Sequence, residues 1–419
     1  MNNVLSFAIK AVASTVCLSV LCAGAALGAG TPPKPIRQEG NGRLYNQGGL
    51  PVAVLSGTFH DMGRQYGALL AKEIRGTYDF AIRDCFIKSG QFQQAELDAL
   101  ADGLYKTLPM RQKELLRGIA ETVHMTRQEA TLTANIAAVQ IVARKKYGGT
   151  ISSCTSGAAW GKYTADGKVI TARDFDYPDS FRRLARDYRV MVVYKPTDGS
   201  NAVAGLTIAG GISLLDAMNS KGLYIEQNNG ADSGGMILFA NRTDASTQVN
   251  NVLFDASDSD EFRHLMESTR FNYPLIIMQA DATAARFYET CTWDLQVREA
   301  QGDPIIAVAN QFLHPAWGML SLPSPAAWYS SYRWETLVKL MKQAPGSVVD
   351  EKSLMGALDI PFYNEDGSVG KGVAVLKKNP KDDEVTVWQV ITRPSERKMW
   401  VRFPTLTGWI PLDLNEWFK

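Results

Sequence analysis

The stretch Ser153-Cys154-Thr155-Ser156-Gly157-Ala158-Ala159-Trp160-Gly161 is followed by an Asp166-Gly167 turn. Val169-Ile170-Thr171-Ala172-Arg173-Asp174-Phe175-Asp176-Tyr177 comes next. Two runs of small and apolar residues around an Asp-Gly signal read as adjacent strands. They bring a thiol, a guanidinium and carboxylates onto neighbouring strands. No histidine lies nearby in the sequence to act as a base. A free thiol has a pKa near ~8.5 and needs a thiolate-stabilising setting or a base to attack. A liberated α-amine, with a pKa of roughly 7.7–8.0, can take that proton and return it to a leaving amine. Cys154 owns such an amine only if the chain is cut between Ser153 and Cys154.

Upstream of this stretch the chain reads as mostly helical. Residues 30–50 are polar and rich in Gly and Pro, which predicts an extended arm. Val52–Leu55 is a short strand candidate. Gly57 to Gly67 leads into an amphipathic helix with Asp61 as its N-cap. Pro109 can open another helix at its first position. Thr126-Arg127-Gln128-Glu129 has the form of a capping box, and Gly148-Gly149 ends the helix that follows.

Downstream of Thr150 short β-rich runs alternate with turns. Strands are predicted at Val169–Ala172, Val190–Tyr194, Val203–Ile208, Leu223–Glu226, Leu275–Gln279, Ala285–Glu289, Ile305–Ala309, Glu384–Thr392 and Lys398–Phe403. Asp198-Gly199 is a second hairpin signal. Helices are predicted at Ser259–Glu267 and Tyr332–Lys342. The chain is therefore α+β, with its change of texture just before Cys154.

The composition of the 419 residues is 45% hydrophobic and 21% charged, with a formal net charge of +1. That balance gives no electrostatic case for nucleic acid or an anionic membrane surface. No zinc-ligand spacing, phosphate-binding loop or dinucleotide fingerprint occurs, so no cofactor or metal is expected. Lys10 precedes an uncharged run to Ala29 that ends in small residues, the pattern of a secretory signal peptide over residues 1–29. An uncleaved membrane anchor is the alternative. Removal of Cys17 and Cys22 with that segment leaves Cys85, Cys154 and Cys291. Cys85 and Cys291 are read as a pair or as two buried thiols.

The chain resembles the N-terminal-nucleophile (Ntn) hydrolases, specifically linear-amide hydrolases related to choloylglycine hydrolase and to the penicillin acyltransferase (C45-type) group. Cys154-Thr155 with Ala172-Arg173-Asp174-Phe175-Asp176-Tyr177 is similar to the family's opening. Met218-Asn219-Ser220-Lys221-Gly222-Leu223, ending at Asn228-Asn229, resembles its oxyanion strand. Ile305–Ala309 with Asn310, and Ser331-Tyr332-Arg333, resemble two further segments. Gly57 to Gly67 looks like the opening of C45-type precursors.

The resemblance implies a four-layer αββα sandwich preceded by a helical pro-segment. Residues 30–153 would be the α chain and 154–419 the catalytic β chain, remaining associated after self-cleavage. It implies Cys154 as nucleophile, Asp176 as the carboxylate positioning its amine, and Arg173 as the guanidinium beside the thiol. Asn229, with Asn228 as alternative, is implied as oxyanion donor, Asn310 as a second asparagine, and Arg333 as a supporting arginine. The expected activity is hydrolysis of a linear amide of an N-acylated small molecule by an exported enzyme. Acyl transfer to an amine is the alternative within that chemistry. Asp174 departs from the family pattern, which has Asn there.

Three other readings stay open on the residues alone. Arg173 and Asp176 would form an exposed ion pair if the site were not catalytic. Cys154 with His264 or His314 would be a papain-like pair, although papain-like cysteines begin a helix. An exported binding protein on the same scaffold is the third. A homo-oligomer is compatible with the sequence.

Overall fold

Alternating strands and turns after Cys154 build two sheets, and the small residues of Thr155–Ala159 let one of them pack tightly on a helix. The computed structural model describes residues 34–147, 154–230, 233, 235, 237–318, 325–360 and 384–419. The expected signal segment, Ser153 and the Gly148-Gly149 stop lie outside the described residues. The strands are β1 (Arg37–Glu39), β2 (Gly42–Gln47), β3 (Leu50–Gly57), β4 (Thr155–Ala159), β5 (Ile170–Pro178), β6 (Arg189–Pro196), β7 (Val203–Ile208) and β8 (Asp216–Asn219). They continue with β9 (Tyr224–Asn229), β10 (Leu275–Ala280), β11 (Ala285–Thr290), β12 (Leu295–Glu299), β13 (Ile305–Val308), β14 (Glu384–Arg393), β15 (Lys398–Arg402) and β16 (Ile410–Asp413). Among the described residues one sheet runs β1-β2-β3-β6-β7-β8-β9-β10-β11-β12 and the other β13-β4-β5-β14-β15-β16.

Strand alternation sends successive side chains to opposite faces, and this sets the layering around Cys154. Ser156 of β4 accepts a hydrogen bond from Asn228 Nδ2 of β9 at 2.7 Å, so that face of the six-stranded sheet looks at the ten-stranded one. Gly157, one residue on, faces the helix Pro325–Lys342: a Cβ there would lie 2.5 Å from Met341 Cε and 2.9 Å from Leu337 Cδ2. The same alternation holds in β9. Asn228 points at the smaller sheet, whereas Gln227 Nε2 donates to Ser246 O in the helix Ala245–Asp255. Gln279 of β10 donates to Ser259 Oγ of the helix Ser259–Glu267 at 2.8 Å. The expected α+β class holds, with sheets facing each other at the site and helices on their outer sides there.

The first third differs from expectation in part. The strand expected at Val52–Leu55 is present within β3, but the stretch ahead of it is not an arm: it forms β1 and β2, with β2 and β3 antiparallel and β3 parallel to β6. The segment upstream of Cys154 therefore extends the ten-stranded sheet as well as supplying helices. Leu50, Val52, Ala53 and Leu55 are fully buried, and this apolar content holds the edge hairpin in place. The burial of this apolar surface offsets the conformational entropy lost in ordering the segment.

The helix Phe59–Leu69 is capped by Thr58, not Asp61. Asp61 sits three residues in and closes a capping box with Thr58. The predicted box at Thr126 and Glu129 is present. Pro109 is the N-cap residue of Met110–Val123 rather than its first helical residue. Gly63 permits the contact between these helices, since a Cβ there would lie 2.2 Å from Leu115 O. Part of the glycine-spaced motif at Gly57 to Gly67 thus serves helix packing.

Candidate active site

Cys154 immediately precedes β4 and is 1% exposed. Its register is set by the pairing of β4 with β5, in which Ser156 opposes Arg173 and Thr155 opposes Asp174. Arg173 Nη2 lies 3.8 Å from Cys154 Sγ, and the thiol is 4.0 Å from the carbonyl oxygen of Asp176. Burial pushes the thiol up to about 11, and the pull of Arg173 in the other direction is too weak to undo that. The thiol is therefore protonated at neutral pH, and nucleophilic attack requires a base beside it.

Arg173 is anchored on several sides. It forms an ion pair with Asp216 at 2.7 Å in which both side chains are fully buried. It also donates to the carbonyls of Leu215 (2.9 Å) and Gln227. Burial opposes its charge, but Asp216, Cys154 and Glu226 more than offset this, so the guanidinium stays protonated.

The exposed Arg173–Asp176 ion pair is corrected in both respects. Arg173 is buried and pairs with Asp216, because residues three apart in a strand point to opposite faces. Asp176 is 2% exposed, and its Oδ1 accepts from Thr386 Oγ1 at 2.6 Å. A register shift in β14 between Thr386 and Trp388 falls beside it. Such a bulge re-aims side chains locally. Asp174 shares the Asp176 face and accepts from Gln389 Nε2 at 3.0 Å. Burial first, and then neighbouring Asp176, hold the Asp174 carboxyl well above the usual carboxylate range.

A second set of contacts runs from Cys154 toward the end of β9. Arg333 Nη1 donates to the Cys154 carbonyl and to Thr155 Oγ1 (3.0 Å), and its Nη2 donates to Asn310 Oδ1 (3.0 Å). Asn310 Nδ2 in turn donates to the Asn229 carbonyl at 2.9 Å. Arg333 is 3% exposed and Asn310 6%, so neither is a solvated surface residue. Asn229 is half-buried at the last position of β9, and Asn228 is turned onto Ser156. Of the six residues singled out from the sequence, Arg333, Asn310 and Asn229 are joined to the Cys154 backbone by a run of hydrogen bonds, Arg173 stands 3.8 Å from its sulfur, and Asp176 reaches that sulfur with its carbonyl oxygen at 4.0 Å.

The histidines engage elsewhere. His60 pairs with Glu121, His124 ends a helix, His264 lies in the last turn of Ser259–Glu267, and His314 Nδ1 accepts from Ala316 N. Cys154 leads into a strand and not a helix, contrary to the papain-like pattern. Cys85, Cys154 and Cys291 are all free thiols, which removes a Cys85–Cys291 pair. Phe175 stacks on Trp388 with ring centroids 4.1 Å apart and on Tyr177 at 5.3 Å, so these aromatics are core packing.

Sequence reasoning missed Asp216, Glu226 and Ser156. Polar residues at every second position of β9 (Tyr224, Glu226, Asn228) were the available signal, and their burial is visible only in three dimensions. A small cleft of about 40 Å³ opens nearby, lined by Thr133, Asn135, Ala137, Leu215, Ser246 and Tyr273 among others. None of its lining residues is Asp, Glu, Lys, Arg or His. Leu215 links cleft and site, since its carbonyl receives Arg173.

No family model matches the chain, and no curated protein matches it. Among solved structures, a mutant of the conjugated bile acid hydrolase from Clostridium perfringens aligns at 13% identity and TM-score 0.42, covering 63% of this chain and 93% of that one. An N-acylethanolamine-hydrolyzing acid amidase from Caenorhabditis elegans aligns at 16% and 0.38, covering 57% and 93%. Penicillin V acylase from Agrobacterium tumefaciens aligns at 11% and 0.41, covering 62% and 86%. Likeness at this level leaves the chemistry to be argued from the site's own residues.

Proposed function

We propose that this chain is an exported, self-cleaving cysteine hydrolase that acts on a linear amide of an N-acylated small molecule. The observation that carries the reading is Cys154 at the head of β4, with Arg173 3.8 Å from its sulfur and no histidine bonded to it among the described residues. A buried, protonated thiol needs a base, and its own freed α-amine supplies one.

Self-cleavage begins when the Cys154 sulfur attacks the Ser153 carbonyl carbon. The peptide C–N bond breaks, the nitrogen takes the thiol proton, and a thioester links Ser153 to Sγ. Water hydrolyses that thioester, leaving a Ser153 carboxylate, a free thiol and a new α-amine on Cys154. In turnover the amine accepts the thiol proton while the sulfur attacks the substrate amide carbonyl. The tetrahedral oxyanion is stabilised by Asn229. Collapse breaks the C–N bond, the leaving amine takes the proton, and water then hydrolyses the acyl thioester, with the α-amine again as base.

Arg333 and Asn310 hold this frame. Arg333 grips the Cys154 carbonyl, and Asn310 fixes the backbone of Asn229. The cleft beside Leu215 is small, and its uncharged lining matches the apolar end of an acyl group rather than a charged one. Its wall includes Thr133, Asn135 and Ala137 from upstream of the cut, so the two fragments would have to stay associated to bind substrate.

Purified protein is expected as two fragments, the larger beginning at Cys154 by N-terminal sequencing, and to release amine from a panel of N-acyl amides. An intact chain with no amine release defeats the proposal. Asn229→Ala is expected to lower kcat by about 10²–10³ with a small change in KM. Asn228→Ala, which removes the Ser156 contact, should act on stability more than on kcat. The reverse pattern would move the oxyanion role to Asn228.

A further inference from the structure

Beneath Cys154 lies a buried carboxyl that the proposed reaction does not use. Glu226 is fully buried on β9, on the face that looks at the smaller sheet. Asp216 of β8 is its strand partner on one side, and Met278 of β10 on the other. Tyr224 OH, on the same strand, lies 3.4 Å from Glu226 Oε2 and 3.2 Å from Asp216 Oδ1. Asp216 also accepts from Trp388 Nε1 of β14 at 2.8 Å. From β4 and β5 the groups facing it are the Ser156 hydroxyl and the Arg173 guanidinium. Glu226 Oε1 has no hydrogen-bond partner among the described residues.

The charges in this cluster are unequal. One guanidinium, Arg173, faces two carboxyls, and Asp216 already holds it at 2.7 Å. A second negative charge in the same dry space has no counter-ion of its own. Burial, aided by Asp216, accordingly raises the Glu226 carboxyl to about 8, against the opposing pull of Arg173. The remaining claimant on Arg173 is Cys154 Sγ, 3.8 Å from Nη2.

We propose that Glu226 is a positioning residue that acts through Arg173: as a neutral acid it leaves the guanidinium's field to the Cys154 sulfur, and as a carboxylate it competes with the thiolate for that field. The sign follows from charge. Ionising Glu226 adds a negative charge beside Arg173, disfavours the Cys154 thiolate, and slows the thiol at alkaline pH. Proton exchange is the only chemistry involved: Glu226 gives up its proton to solvent as pH rises, and no bond between heavy atoms changes. The consequence for turnover rests on Cys154 being the nucleophile, but thiol reactivity itself does not.

The test is the rate of alkylation of Cys154 by iodoacetamide between pH 6.5 and 9.5, read on the Cys154 peptide by mass, in wild type and Glu226→Gln. Gln mimics the neutral acid at every pH. The ratio of variant to wild-type rate is expected to be near one at pH 6.5 and to rise to about threefold or more by pH 9. The α-amine of a cut chain titrates in the same range, but it is present in both proteins and cancels in the ratio. A flat ratio overturns the proposal, whether at one or at another constant value, because a merely structural role moves all pH values together. If Glu226→Gln does not fold, Tyr224→Phe serves. Loss of that hydroxyl should push Glu226 ionisation, and with it the alkaline slowing, to higher pH; an unmoved profile overturns the idea. Amide turnover is measured separately. A pH-dependent ratio in a protein that hydrolyses no amide would sustain the role of Glu226 and defeat the proposed function.

Discussion

Cys154→Ala is expected to leave the chain uncut and to abolish amine release. In the proposed chemistry both events use the same sulfur, first on the Ser153 carbonyl and then on the substrate. The loss in kcat should be on the order of 10⁵–10⁶, as for deletion of other covalent nucleophiles. The variant should still fold. Cys154 is small and its removal leaves at most a one-atom void, whereas Arg173 keeps Asp216 as its partner. Intact mass and an amine-release assay check this in one preparation. A Cys154→Ala chain that is still cut, or that still hydrolyses amide, would sink the proposed chemistry. Cys154→Ser separates the two roles. A hydroxyl in the same dry site, with a higher pKa than the thiol, should cut slowly and turn over more slowly still.

Arg173→Met is expected to be the most damaging change to stability. It strips the counter-ion from Asp216, which is fully buried, and removes the donor to the Leu215 and Gln227 carbonyls. Breaking a buried pair in this way costs about 3–5 kcal/mol. Typical domains have only about 5–15 kcal/mol in hand, so much of the variant should appear as insoluble or unfolded protein. Trp388 and Tyr224 still donate to Asp216, which keeps the loss toward the lower end of that range. The decisive comparison is a cycle with Asp216→Asn, measured by urea unfolding. The double variant should recover part of the loss, because an amide in that place needs no cation. A single Arg173→Met variant with an unchanged midpoint would mean that the ion pair is not a structural element.

Much of this arrangement was readable from the chain itself. The pairing of β4 with β5 followed from two small-residue runs around Asp166-Gly167, which puts Cys154 and Arg173 on neighbouring strands. The helix Ser259–Glu267 agrees with its capping and apolar pattern. The strands β1 and β2 at residues 37–47 did not read as strands, because edge strands carry polar residues that resemble a loop, whereas the apolar run Val52–Leu55 within β3 did. The capping position at Thr58 was missed by three residues, since Thr58 and Asp61 both bond to the first turn and either can read as its cap.

What the sequence determined by itself is local: which runs form strands, where the turns fall, and which side chains share a face. Those follow from backbone sterics and the two-residue period, which act over a few residues. The tertiary structure decided which buried charges meet. Arg173 lies 43 positions from Asp216 and 53 from Glu226, as their numbers show. Only the facing of the two sheets brings the three together around Cys154. The pull of a low-dielectric interior, which holds the thiol protonated and Glu226 neutral, depends on what surrounds them in space and has no signature along the chain.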